Sequence, residues 1–217
     1  MLLPYPESES MKANRRSLAG RVLIGLLWVA LPAGAAENDT WTFDKDETGA
    51  LPKGFVAAVG QWRVVAYGNG KVLAQFARNP NPVFNLVLIG GHDAQDLDLS
   101  VKLRPVAGVN DQGGGLIWRA KDAKNYYVAR FNPLENNFRV YTVVDGKRTQ
   151  LQSAKAAYPG AWCRLRVTMK GDHIVCYKDG VKLLDVHDAT FPGPGKIGLW
   201  SKSDAQTEFD ELKLQGL

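Results

Sequence analysis

The residue types best suited to chemistry gather in one stretch, GGGLIWRAKDAKNYYVARFNPLENNFRVYTVVDGKR, at positions 113–148. If AKDAKN closes one hairpin and PLENNF the next, strand alternation sorts the side chains onto two faces. Leu116, Trp118, Tyr127, Ala129, Phe131 and Val140 fall on one face, and Arg119, Tyr126, Arg130, Asn132, Arg139 and Tyr141 on the other. The first set suits a core. The second offers guanidiniums, phenols and an amide, the donors and flat surfaces with which proteins hold sugar hydroxyls and carboxylates. The same set would also serve as a solvated face of cross-strand aromatic and charged pairs. A slip of one residue in the second turn would mix the two faces. Three guanidiniums on neighbouring strands repel unless an anion, a carboxylate or water comes between them, and bidentate Arg–carboxylate bonds are strong. If the face holds a carbohydrate, acidic or oxidised sugars would relieve that repulsion and should be preferred.

Catalytic constellations are sparse. A glycosidase needs two carboxylates, about 5–5.5 Å apart for a retaining mechanism and further for an inverting one. Asp111 and Glu135 are loop carboxylates beside the candidate face, but nothing in the sequence pairs them. Gly113–Gly115 lacks the lysine and helix of a phosphate loop. There is no G-x-S-x-G elbow. His92, His173 and His187 lie far apart without metal-ligand spacing.

The elements that must position these residues are strands. From Thr40 onward, short apolar or alternating runs are separated by Gly, Pro, Asn and Asp, with no helical periodicity of useful length. A dozen runs stand out: QWRVVAY, KVLAQFA, VFNLVLIG, DLDLSVKLRP, GGGLIWRA, NYYVARFN, NFRVYTVV, WCRLRVTM, HIVCYK, VKLLDV, GKIGLW and TEFDELKL. Turn dipeptides at Asn69–Gly70, Asp145–Gly146 and Asp179–Gly180 fall between them. This predicts an all-β, two-sheet antiparallel sandwich of the jelly-roll kind, forming a single domain over residues 37–217. In DLDLSVKL, Leu97, Leu99, Val101 and Leu103 should face a core. The hairpin turning at Gly171–Asp172 sets Cys176 opposite Val167, leaving Cys163 about 13 Å further along the strand, too far for a disulfide.

The formal charge is +5, but Lys12, Arg15, Arg16 and Arg21 against Glu7 and Glu9 place part of it in the first 36 residues. The remaining +3 is dispersed, which argues against nucleic acid as partner. Arg15, Arg16 and Arg21 precede the apolar run VLIGLLWVALPAGAA, which ends in small residues, the order of a signal peptide. Residues 1–36 are read as that signal, cleaved after Ala35 or Ala36. The mature chain is then periplasmic or secreted, with no membrane insertion after cleavage.

DLDLSVKLRPVAG, DQGGGLIWRAKDAKNYYVARFNPLENNFRVY, the DGKR turn, W-x-R-L-R-V, DGVKLLD and GKIGLWSKSDAQTEFDEL carry a resemblance. They resemble the concanavalin A-like lectin and glucanase superfamily, specifically its 3-keto-disaccharide hydrolase-type domain family, with laminin G-like domains more distant. The resemblance implies a concanavalin-like jelly roll whose concave sheet receives carbohydrate in many members. It also implies a calcium site near the chain ends, for which Asp44 and Asp210 would supply hard oxygen ligands. Related glucanases carry E-x-D-x-x-E on one strand; here Glu208 and Asp210 are followed by Lys213, so that pattern is broken. The superfamily mixes enzymes, lectins and interaction modules. The expectation is an exported carbohydrate-binding domain. The alternatives are a glycoside-processing enzyme of the 3-keto-disaccharide hydrolase type and a laminin G-like interaction module.

Overall fold

A computed structural model describes residues 38–158 and 160–217. The signal-peptide reading falls on residues outside this range. Among the described residues no helix is long and apolar enough to cross a membrane.

Two antiparallel sheets make up the fold, as the alternating runs predict. The eight-stranded sheet runs in the order β13 (Val181–His187), β12 (His173–Lys178), β11 (Cys163–Lys170), β6 (Leu97–Ala107), β15 (Gln206–Gly216), β4 (Gly70–Gln75) and β3 (Trp62–Tyr67). Its remaining strand, β1 (Asn38–Trp41), pairs with β15. The seven-stranded sheet runs β10 (Lys147–Lys155), β9 (Asn137–Val144), β8 (Asn125–Asn132), β7 (Gly114–Asp122), β14 (Gly195–Lys202), β5 (Phe84–Ala94) and β2 (Phe55–Val59). Strands β1, β2 and β10 are additional to the twelve runs.

Between the sheets lies one large core. Leu97, Leu99, Val101 and Leu103 of β6 are all fully buried in it, as their alternation requires. Leu116, Trp118, Tyr127, Ala129, Phe131 and Val140 all join them, so the turn after β8 has not slipped. Removing one such leucine side chain would cost about 2–5 kcal/mol. Cys176 pairs with Val167, and both cysteines are free and buried. Burial pushes the Cys163 thiol up to about 12.

Asp145–Gly146 and Asp179–Gly180 have φ of 51° and 79°, and 49° and 82°. These are the left-handed pairs that two-residue hairpin loops demand. The Asn69–Gly70 signal is displaced by one residue: Tyr67 pairs with Gly70, and the loop is Gly68–Asn69.

Candidate functional site

The outer face of the seven-stranded sheet carries a second, smaller apolar cluster. Leu86, Leu88, Ile117, Tyr126, Val128, Val143 and Trp200 form it, each buried. One cross-strand row passes from Ser153 through Arg139, Arg130, Gly115 and Trp200 to Leu86. The face is therefore apolar toward one end and charged toward the other.

This sheet is curved into a bowl. Arg148 belongs to the edge strand β10, and Phe84 to β5, five strand spacings away. On a flat sheet that separation is about 24 Å, more than an arginine and a phenylalanine can bridge. Yet the Arg148 guanidinium lies 5.4 Å from the Phe84 ring centre, 4.3 Å from that of Tyr141 and 5.8 Å from that of Trp200. The edge strand must curl toward this face.

Arg130 and Arg139 stand directly opposite each other on β8 and β9. Their repulsion is relieved by Glu135 from the intervening turn. Its Oε1 accepts from Arg130 Nη2 at 3.0 Å, and its Oε2 lies 2.9 Å from Arg139 Nη1. Arg130 Nη1 also donates to Asn137 Oδ1 at 2.9 Å, and Asn137 Nδ2 donates to Glu135 Oε2 at 2.9 Å. Asn132 Nδ2 donates to Asp111 Oδ1 at 2.9 Å and reaches Glu135 Oε1 at 3.5 Å. The two carboxylates thus share one amide nitrogen. Lys202 Nζ completes the group, 3.1 Å from Asp111 Oδ2. Asp204 fixes the loop carrying Asp111, its carboxylate accepting the backbone N–H groups of Val109, Asn110 and Asp111.

Environment drives the two carboxylates apart. Burial raises the Asp111 pKa, although Arg130 and Lys202 oppose it. Burial also works against ionised Glu135, but its bonds from Asn137 and Arg130, with Arg139 nearby, hold its carboxyl below the usual range. Burial lowers the Arg148 pKa, and Arg130 adds to that effect. Four cations (Arg130, Arg139, Arg148 and Lys202) therefore meet two carboxylates.

Among the described residues, three buried polar atoms here have no hydrogen-bond partner: Arg130 Nε, Arg148 Nη1 and the Tyr141 hydroxyl. Tyr141 raises the Arg139 pKa through a side-chain hydrogen-bonding approach, but among the described residues its hydroxyl meets no group in full hydrogen-bond geometry. Buried donors without acceptors cost about 1–3 kcal/mol each, more when charged. In the same cross-strand row Gly115 lies opposite Arg130, packed so closely on the β8 backbone that a Cβ there would meet Ala129 O at 2.0 Å.

Of the six residues expected on this face, the structure brings together Arg130, Asn132, Arg139 and Tyr141. Arg119 is not among them. A bulge between Trp118 and Asp122, with Arg119 at φ 46°, breaks the alternation. Its guanidinium instead staples three loops, donating to Gln95 O at 2.7 Å, Phe191 O at 2.9 Å and Gly171 O at 2.8 Å, with Asp96 at 3.2 Å. Tyr126 shares the face but sits in its apolar half, fully buried, its hydroxyl accepting the Trp200 indole N–H at 3.3 Å. Neither tyrosine presents an open stacking platform, because Arg148 covers the ring of Tyr141.

Arg148 and Lys202 escaped the sequence reading. Counting back from the Asp145–Gly146 turn would have placed Arg148 opposite Val143, which pairs with Tyr126. Alternation from Trp200 would have placed Lys202 on the same face.

At the other expected site, burial raises the Asp210 pKa, with Glu211 and Asp44 as further negative charges nearby. Asp44 Oδ1 accepts from Lys71 N at 3.0 Å and Asp210 Oδ1 from Glu211 N at 2.7 Å. Among the described residues no group of three His, Cys, Asp or Glu side chains is placed to hold a metal ion.

A curved antiparallel sandwich with a polar, cation-rich bowl on one sheet belongs to the concanavalin A-like class of β-sandwich domains. More narrowly, residues 41–215 match the 3-keto-alpha-glucoside-1,2-lyase-like domain, and the chain belongs to that family. No curated protein matches it. Among solved structures it resembles carbohydrate binding module CBM66 from Bacillus subtilis (21% identity, TM-score 0.65), covering 75% of this chain and 96% of that one. It also resembles the GH43 BlXynB protein from Bacillus licheniformis (14%, TM-score 0.61), over 82% of this chain and 39% of that one. The exoplasmic/lumenal domain of VIP36, solved in a Ca2+/Man3GlcNAc-bound form, is similar at 12% identity and TM-score 0.55, over 75% and 82% of the two chains. At these identities the likeness is one of fold.

Proposed function

We propose that this chain is an exported carbohydrate-binding domain, periplasmic or secreted, that holds a sugar in the bowl of its seven-stranded sheet and prefers acidic or oxidised sugars. The observation that carries this reading is the set of unpaired buried groups, Arg130 Nε, Arg148 Nη1 and the Tyr141 hydroxyl. A sugar hydroxyl satisfies such donors, and a sugar carboxylate also answers the excess of positive charge. CBM66 and ligand-bound VIP36 support the class of ligand by analogy of fold. Calorimetric titration of the exported form, whose N-terminus should lie at Ala36 or Glu37 by mass spectrometry, is the test. Galacturonate and glucuronate should bind more tightly than galactose and glucose; equal or reversed affinities would remove the acidic preference.

A second reading places catalysis in the same bowl, favoured by the Asp111–Asn132–Glu135 bridge. One carboxyl with a raised pKa beside one with a lowered pKa is the division of labour an acid and a base require. A 1,2-lyase acting on a 3-keto glucoside would take the C2 proton onto one carboxylate as the C1–O bond breaks and a C1–C2 double bond forms, the departing glycosidic oxygen taking a proton from the other, protonated carboxyl. Turnover of such a glucoside by the wild type and not by Asp111→Asn would carry this reading.

Calcium at Asp44 and Asp210 is a separate proposal. Two carboxylates are the right donors but fewer than the six to eight oxygens calcium takes, so carbonyls and water would complete the shell. A melting temperature raised by calcium in the wild type and unmoved in Asp210→Asn would support it; no shift in either would dismiss it.

A further inference from the structure

We propose that the bowl continues into a second subsite, beyond Glu135, that takes the next ring of an acidic oligosaccharide. The proposal rests on the reading of the bowl as a sugar site. A hollow of about 480 Å³, open to solvent, is lined by Glu135, Asn136, Lys155, Ala156 and Ala157. That volume lies within the roughly 300–1,000 Å³ of small-ligand clefts.

Glu135 is the wall between the two spaces. On the bowl side its carboxylate is held by Arg130, Arg139 and Asn137, and the same side chain lines the hollow. Lys155 lies directly opposite Asn137 across β9 and β10, so its side chain belongs to the same sheet face as the bowl. A ligand that fills the bowl and leaves it past Glu135 enters the hollow without crossing a strand.

The hollow's polar groups are unspent. Asn136 uses its backbone carbonyl to accept from Ala156 N, while its side-chain amide has no hydrogen-bond partner among the described residues. The Lys155 ammonium makes no ion pair among the described residues and is free to meet a ligand carboxylate. Ala156 and Ala157 give a small apolar floor. An amide for hydroxyls, an ammonium for a carboxylate and a methyl-lined floor fit a second uronic-acid ring joined to the first. The ligand class is then a polyuronate-type chain of at least two residues rather than a free sugar acid.

The test is calorimetric titration of the mature chain with galacturonate, digalacturonate and trigalacturonate. Digalacturonate should bind about tenfold more tightly than the monomer, and the trimer should add little more. In Lys155→Ala the ratio of dimer to monomer affinity should fall toward one. Monomer and dimer binding equally in the wild type, or an undiminished ratio in Lys155→Ala, would overturn the second subsite and leave the bowl intact. If none of the three binds, the reading of the bowl as an acidic-sugar site falls as well.

Discussion

Each outer face of the sandwich gathers a group of four basic side chains around carboxylates, and the two groups are used in opposite ways. On the eight-stranded sheet, Lys102, Arg104, Arg164 and Arg166 meet Asp98, Glu208, Asp210 and Glu211. Arg166 holds Asp98 through Nε and Nη2, Arg104 holds Glu208, and Glu211 is shared by Lys102 and Arg164. Charges balance, the side chains are partly exposed, and none of these groups has a buried atom without a partner. On the seven-stranded sheet four cations meet two carboxylates, Arg130 is 1% exposed, and three buried polar atoms lack partners. A solvated ion ladder contributes little, typically about 0–1 kcal/mol per pair. Surplus charge held in a bowl costs stability, and a bound anion would offset that cost.

Removing one partner from each face should separate them most sharply. Lys202→Met strips the ammonium from buried Asp111 and should cost about 3 kcal/mol at neutral pH, measured by chemical denaturation. Arg166→Ala, on the exposed ladder, should cost about 1 kcal/mol or less. Equal losses would mean that the two faces do not differ in kind.

A finer distinction is pH dependence within the bowl. Asp111 has a raised pKa when folded, so its contribution favours the fold below its unfolded value near 3.8 and is lost as pH rises through the folded value. Glu135 has a lowered pKa, so its contribution is present above its unfolded value near 4.5 and is lost as pH falls through the folded one. Relative to the wild type, Asp111→Asn should therefore fare worse at pH 3 than at pH 7, and Glu135→Gln better. Parallel stability profiles for both variants would contradict the assignment.

How much of this was legible follows from where strand alternation holds. It holds across β6 and β8, so the inward set around Trp118 and the outward Arg130 and Asn132 could be read directly. It fails at Arg119, where a bulge turns the guanidinium toward the loops. It fails again in β10, KRTQLQSAK, where a register shift between Gln150 and Gln152 and a mostly exposed edge erase the apolar period. That strand carries Arg148, so the most informative side chain of the bowl sat in a segment without a strand signal. Asp111 and Glu135 could be named as nearby carboxylates, but their bridge through Asn132 depends on how two loops meet. An Arg130→Ala change would leave Glu135 and Asn137 short of a partner and destabilise the sheet, so Arg148 is the cleaner probe.

The most direct test is therefore a titration of the mature chain with galacturonate, comparing the wild type with Arg148→Ala and Arg166→Ala. Arg148→Ala should weaken binding at least about tenfold with little loss of melting temperature, since the arginine it removes is desolvated and incompletely bonded. Arg166→Ala should bind as the wild type does. Unchanged affinity in Arg148→Ala, or an equal loss in Arg166→Ala, would show that the bowl of the seven-stranded sheet is not the binding site.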